Sequence, residues 1–225
     1  MLPDSVLSRV IVALDTPNIG QACDWVQQYR DKVYAFKVGS ILAVGHGLPI
    51  AHTLREAGAE RIFLDLKFHD IPHVVAEAVR QAAAFGVWML TLHVAGGQAM
   101  LEAARAAVAN LPTRPLLMGV TVLTSLDAAA LRRLGIPRSP RAQVLRLAQL
   151  AHQAGLDGVV ASPHEVRLLR RHLPPSFLIV TPGVRLAGDA PNDQKRIATP
   201  EQALRWGANY LVMGRSLLQP LDTNK

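Results

Sequence analysis

Asp65 and Lys67 stand one residue apart where an apolar run ends, and on an extended chain that spacing sends both side chains to the same face. Lys37 lies near the end of another such run, Phe36-Lys37-Val38-Gly39, and Asp70 follows Lys67 by three residues. If the two runs are neighbouring strands, the charges alternate as Lys37, Asp65, Lys67, Asp70. At an effective dielectric of ~20, opposite unit charges ~4 Å apart attract by about 4 kcal/mol, so the array is a fixed field. A fixed ammonium beside a reacting carbon can stabilise a carbanion and then protonate it. Two further charges end apolar runs: Asp15 after Val12-Ala13-Leu14, and Arg215 after Met213-Gly214. Taken singly, each has an ordinary explanation. Asp70 before Ile71-Pro72 reads as a helix N-cap with proline in the first turn. Lys37 reads as a surface lysine, Asp65 with Lys67 as a salt bridge, and Asp15 as a cap. Joint placement at successive run ends is what those explanations leave out.

The elements that must position these charges alternate in type. Strands are predicted over residues 9–14, 33–38, 61–66, 88–93, 116–122, 158–161, 177–181 and 210–213. Amphipathic, largely Ala-rich helices are predicted over 19–30, 41–57, 74–85, 99–109, 141–154, 163–171 and 200–206, with a short one after Gly214. Gly58, Gly86, Gly155 and Gly207 each end a helix as left-handed caps. The strands are continuous apolar runs, which suits a parallel sheet covered by helices. Strict alternation leaves an open doubly wound sheet or a closed barrel, and eight units favour a single-domain (β/α)8 TIM barrel over residues 1–225. No G-x-G-x-x-G follows the first strand, which weakens a dinucleotide-binding reading. Residues 183–199 are long for a strand-to-helix loop, and in a barrel such loops carry function.

Composition bounds the rest. Half of the 225 residues are hydrophobic and the mean hydropathy is slightly positive, so low-hydrophobicity disorder is excluded. No uninterrupted apolar stretch is long enough to span a membrane. No basic region followed by a long apolar run opens the chain, and the single cysteine, Cys23, forbids an internal disulfide. A reduced, cytoplasmic protein is expected. The net charge of +7 admits nucleic acid, an anionic membrane face or a phosphorylated small molecule. Most of it is local, however: residues 132–171 hold eight arginines against Asp157 and Glu165, reading as a solvated outer-helix surface. The eight histidines match no zinc spacing; His93 reads as structural.

The segment Phe63-Leu64-Asp65-Leu66-Lys67-Phe68-His69-Asp70-Ile71-Pro72 resembles the D-x-K-x-x-D signature of the orotidine 5′-phosphate decarboxylases, bacterial type. So do Val12-Ala13-Leu14-Asp15, Phe36-Lys37-Val38-Gly39, Thr121-Val122-Leu123-Thr124-Ser125, Thr181-Pro182-Gly183-Val184-Arg185, Asp193-Gln194-Lys195-Arg196 and Met213-Gly214-Arg215, in order over nearly the whole chain. The first element alone is shared with other decarboxylases and aldolases; the combination is far more specific. The resemblance implies a homodimer, without metal or cofactor, that converts orotidine 5′-phosphate to UMP and carbon dioxide. It implies that Lys67 protonates C6, that Asp65 sits by the substrate carboxylate, and that Lys37 and Asp70 complete the network, Asp70 reaching into the partner's site. Asp15 and Lys37 would hold the ribose hydroxyls, Thr124 and Ser125 the pyrimidine edge, with Pro182 nearby. Arg185, Gln194, Gly214 and Arg215 would hold the phosphate, the 183–199 loop being a mobile segment that closes on it. Binding of nucleic acid or a membrane is not expected. One departure is Val74, where the family usually carries a threonine whose hydroxyl meets the neighbouring subunit's ribose; weaker ribose binding, or a replacement donor such as His73, is expected. The nearest alternative on the same barrel is a Mg²⁺-dependent sugar-phosphate decarboxylase or hexulose-phosphate synthase; the Asp193–Arg196 segment and the Thr124-Ser125 pair speak against it.

Overall fold

A computed structural model describes residues 2–186 and 198–218. Eight parallel strands close in chain order into a barrel: β1 Val10–Ala13, β2 Ala35–Gly39, β3 Ile62–Phe68, β4 Met89–His93, β5 Leu116–Val120, β6 Gly158–Val160, β7 Leu178–Thr181 and β8 Tyr210–Met213. The helices are α1 Asp4–Leu7, α2 Ile19–Tyr29, α3 Ser40–His46, α4 Ile50–Glu56, α5 Pro72–Ala84, α6 Gln98–Val108, α7 Ala128–Arg133, α8 Pro140–Gln153, α9 Val166–His172, α10 Pro200–Arg205 and α11 Arg215–Leu218. This is the predicted (β/α)8 barrel.

Alternation along each strand divides the core. Val10, Val12 and Leu14 pack outward with Ala22 and Val26 of α2 and the other helical side chains. Ile11 points the other way and meets Ala35, Phe63, Met89, Met118 and Val180 inside the barrel. Below this layer Tyr34, Trp88 and Tyr210 close the N-terminal end, their ring centroids 4.6 to 5.4 Å apart, with the Arg61 guanidinium over Tyr34. Burial and a hydrogen bond with Tyr34 push the Tyr210 phenol up to about 12. Two residues above the apolar layer, along β2 and β3, the inward positions are Lys37 and Asp65. A filled, apolar barrel floor therefore supports a charged upper layer at the C-terminal ends.

The structure corrects three local expectations. The helix predicted over 41–57 is two, broken where Gly47 takes φ +71 and Pro49 follows Leu48. Proline removes an amide and disfavours helical backbone at the residue before it, which the surrounding amphipathic pattern does not reveal. Strand β3 runs on through Phe68, so Lys67 lies within it rather than just after it. Helices α1 and α7 are additions; α7 is capped by Asp127, whose carboxylate accepts the Ala130 amide. The four expected left-handed caps, Gly58, Gly86, Gly155 and Gly207, all have positive φ.

The basic segment spans α7–α9, and seven of its eight arginines are exposed as expected. Arg170 is the exception. Its Nε donates to Gly207 O at 2.8 Å, Nη1 to Phe177 O at 2.7 Å and Nη2 to Asn209 Oδ1, tying α9 to the loops beside β7 and β8. Among the described residues, no helix is long and apolar enough to cross a membrane.

Candidate active site

The strand ends surround a cavity of about 870 Å³. Of the expected site residues, Asp15, Lys37, Asp65, Lys67, Thr124, Pro182, Arg185, Gly214 and Arg215 line it. Lys37 Nζ lies 3.0 Å from Asp15 Oδ1 and 3.7 Å from Asp65 Oδ2, and Lys67 Nζ lies 3.0 Å from each Asp65 oxygen. Asp65 thus sits between two ammonium groups. Burial alone would push its carboxyl up, but the charges of Lys37 and Lys67, with hydrogen bonds from Lys67 and Thr91, hold it below the usual carboxylate range. A depressed value means that the array is intact above the ordinary carboxylate range and comes apart only as pH falls through the lowered one. Gly39 leaves room for the outer pair, since a Cβ there would stand 3.1 Å from Lys37 Nζ and 3.4 Å from Asp15 Oδ1.

Backbone geometry aims Lys67. Between Leu64 and Phe68 the β3–β4 register shifts: four residues along β3 match two along β4, Leu64 opposite Leu90 and Phe68 opposite Leu92. Lys67 has φ +53, and it is the one non-glycine residue with positive φ among those described. Left-handed backbone costs an L-residue with a side chain roughly 1–2 kcal/mol, and bulges of this type re-aim side chains beside active sites. Its amide donates to Thr91 Oγ1 at 2.9 Å, and the Thr91 hydroxyl donates to Asp65 Oδ1 at 3.0 Å. Thr91 is fully buried on β4. It is not among the site residues expected from the sequence. The available signal was a polar residue at the inward position of an apolar strand, two beyond Met89.

Across the barrel from β3, Arg185 follows β7 and is 7 % exposed. Its Nη1 reaches Val184 O at 3.4 Å and Ser216 Oγ at 3.5 Å, while Nε has no hydrogen-bond partner among the described residues. Arg215 opens α11 directly after Gly214, so a guanidinium follows each of β7 and β8.

Two further expected residues, Ser125 and Asp70, do not line this cavity, and a third, Gln194, lies outside the described residues. Ser125 is exposed and does not line the cavity, unlike its neighbour Thr124. Gln194 lies outside the described residues, as does most of the 183–199 loop. Asp70 is exposed and also stands away from this chain's cavity. The N-cap of α5 is Ile71, not Asp70, and no side chain caps it. The residue before proline holds extended backbone, so the helix begins one position later than a capping Asp70 requires. Asp70 Oδ1 instead accepts the Ile71 amide at 2.6 Å. Near the array, His93 ends β4 half-buried with its ring 5.4 Å from that of His69. Burial, then His69 and Lys67, pull its imidazole below the ordinary range against the opposing pull of Asp65. Among the described residues, no three His, Cys, Asp or Glu side chains converge as ligands around one point.

Comparison with known proteins agrees with this geometry. The family model described as "Orotidine 5'-phosphate decarboxylase / HUMPS family" matches residues 8–224. The orotidine 5′-phosphate decarboxylase of Nitrosococcus oceani is 51% identical over 215 residues, covering 96% of this chain and 92% of its own. That of Neisseria meningitidis serogroup A is 48% identical over 214 residues, covering 95% and 87%. The crystal structure of the Lactobacillus acidophilus orotidine 5′-phosphate decarboxylase superposes with a TM-score of 0.82 at 34% identity, covering 96% of this chain and 93% of that one. With a lysine–aspartate array at the strand ends of a closed barrel and these matches over almost the whole length, the chain belongs to the orotidine 5′-phosphate decarboxylase / HUMPS family.

Proposed function

We propose that this chain decarboxylates orotidine 5′-phosphate to UMP and carbon dioxide without metal or cofactor. The observation that carries the reading is Lys67 Nζ held 3.0 Å from both oxygens of a largely buried carboxylate, inside a cavity whose far wall carries Arg185. In the reaction the C6–carboxylate bond breaks and its electron pair stays on C6. That pair lies in the ring plane, where the π system cannot delocalise it. The Lys67 ammonium stabilises it and then delivers the proton that makes UMP, the lysine recovering a proton from water. Asp65, fixed beside the departing carboxylate, opposes the ground-state charge and keeps the ammonium aimed. Asp15 and Lys37 suit the ribose hydroxyls, Thr124 and Pro182 the pyrimidine, and Arg185, Gly214 and Arg215 the phosphate, with Ser125 and Gln194 joining when the loop closes. A dianion far from the reacting carbon supplies binding energy for that closure. The cytoplasm is the expected compartment.

The reading includes a homodimer in which Asp70 completes the partner's array. Its support is the position of Asp70, exposed outside its own cavity, beside apolar groups that solvent would leave uncovered: Ile71 is 64% exposed and Val74 43%.

Wild-type enzyme in excess EDTA is expected to convert orotidine 5′-phosphate to UMP at its untreated rate, followed by ultraviolet absorbance. Activity that disappears on chelation and returns with Mg²⁺ would mean the metal-dependent chemistry of a sugar-phosphate enzyme instead. A second expectation concerns Val74, which cannot donate the hydrogen bond of a threonine. Val74→Thr is expected to bind UMP roughly 2- to 10-fold more tightly, the worth of one hydrogen bond of about 0.5–1.5 kcal/mol. Unchanged affinity by calorimetry would mean that no ribose contact is missing, or that His73 already supplies it.

A further inference from the structure

We propose that Thr91 is a positioning residue for the decarboxylation, its hydroxyl locking the backbone and the side chain of Lys67 to the same carboxylate. The inference rests on the proposed function and adds to it a residue that touches no substrate. A hydroxyl has one proton to give and two lone pairs. Here the proton goes to Asp65 Oδ1 at 3.0 Å and a lone pair takes the Lys67 amide at 2.9 Å. Asp65 Oδ1 also receives Lys67 Nζ at 3.0 Å. The contacts form a closed ring: Lys67 amide to Thr91 hydroxyl, hydroxyl to Asp65 carboxylate, carboxylate back to the Lys67 ammonium.

The ring explains two otherwise costly features. Lys67 holds φ +53, and such backbone persists where the surroundings over-determine it. The hydroxyl supplies a fixed acceptor for that residue's amide at the register shift between Leu64 and Phe68, where β3 departs from regular pairing with β4. Asp65, for its part, needs a neutral donor on the β4 side, because Lys37 and Lys67 approach it only from β2 and from its own strand. Thr91 meets both needs from a fully buried position on β4, so the hydroxyl has no water to turn to. Losing it would free the Lys67 backbone to relax and let Asp65 rotate. The ammonium would then sit off the line to C6, while the groups that hold ribose and phosphate, on other strands, stay in place. Chemistry would suffer and binding would not.

The test compares Thr91→Val, which keeps the shape and removes the hydroxyl, with Thr91→Ser, which keeps the hydroxyl. Wild type is assayed alongside; its failure to turn over orotidine 5′-phosphate would count against the proposed function itself, separately from Thr91. For Thr91→Val a kcat lowered roughly 10- to 100-fold is expected, with KM within about 3-fold of wild type, as for misplacement of a catalytic group by a change that touches no substrate. Thr91→Ser is expected to recover kcat to within about 3-fold. Hydrogen exchange at the Lys67 amide gives a readout independent of turnover: protected in wild type and Thr91→Ser, fast in Thr91→Val. If Thr91→Val does not fold, Thr91→Ala takes its place against Thr91→Ser under the same two measurements. A hydroxyl-free variant with wild-type kcat, a serine variant as impaired as the hydroxyl-free one, or equal amide protection in all of them would overturn the proposal.

Discussion

Lys67→Ala is expected to lower the turnover of orotidine 5′-phosphate by at least ~10⁴-fold. A positioned general acid contributes ~10²–10⁴, and one preorganised charge at a developing anion contributes ~10²–10³; in the proposed mechanism Lys67 serves as both. Lys37 does not substitute. Lys37 Nζ is committed to Asp15 at 3.0 Å and approaches Asp65 only at 3.7 Å, on the side away from β4. The substitution also removes one of the two cations flanking a buried carboxylate, so the variant should melt below wild type. Backbone strain complicates the melting temperature but not the rate, and glycine separates the two. Alanine at φ +53 keeps the left-handed cost, whereas glycine takes that conformation freely. Lys67→Gly should therefore be as inactive as Lys67→Ala yet more stable by about 1 kcal/mol in denaturant unfolding. A Lys67→Ala enzyme within ~10-fold of wild-type turnover would remove Lys67 from the proton-donor role.

The parts of this site that could be read in the sequence are those that depend on period and order. A strand repeats every two residues, so Asp65-x-Lys67 had to share a face, and a barrel of consecutive parallel strands had to bring Lys37 beside them. Backbone departures from the period could not be read the same way. The register shift that lengthens β3 and turns Lys67 left-handed leaves no mark in the pattern of apolar residues, since Phe68 continues it. The break at Gly47–Pro49 is masked because amphipathic spacing resumes on both sides. Thr91 was missed for a different reason. A lone polar residue in an apolar strand acquires meaning only when its two partners, an amide and a carboxylate on β3, are seen in space. Thr124 and Ser125 are adjacent and chemically alike, yet only Thr124 lines the cavity, a distinction that a loop's conformation makes and its composition does not. The basic stretch was legible as surface except for Arg170, two of whose three acceptors, on Gly207 and Asn209, come from a segment distant in sequence.

Asp70 gives the second large effect, because where it acts decides what a mixture of two dead enzymes does. Asp70→Ala alone is expected to lose at least ~100-fold in turnover, through the loss of one preorganised charge beside the ammonium. In the proposed dimer each cavity combines its own Lys67 with the partner's Asp70. Homodimers of Lys67→Ala lack the lysine in both cavities, and homodimers of Asp70→Ala lack the aspartate in both. A mixed dimer is different. The cavity in the Lys67→Ala subunit carries both lesions, while the cavity in the Asp70→Ala subunit keeps its own lysine and receives an intact Asp70 from across the interface. Under statistical exchange of equal amounts, half the dimers are mixed and half of their cavities are native, so about a quarter of wild-type activity should appear. Brief exposure to mild denaturant followed by dilution would permit the exchange, and the recovered rate should rise with exchange time to that plateau. If Asp70 served its own subunit's cavity, every cavity in every dimer would still lack one group and mixing would restore nothing. The exposed position of Asp70, away from the cavity of its own chain, favours the first outcome. The apolar surface of Ile71 and Val74 beside it should then be protected from hydrogen exchange in the dimer and lose that protection on dilution to monomer.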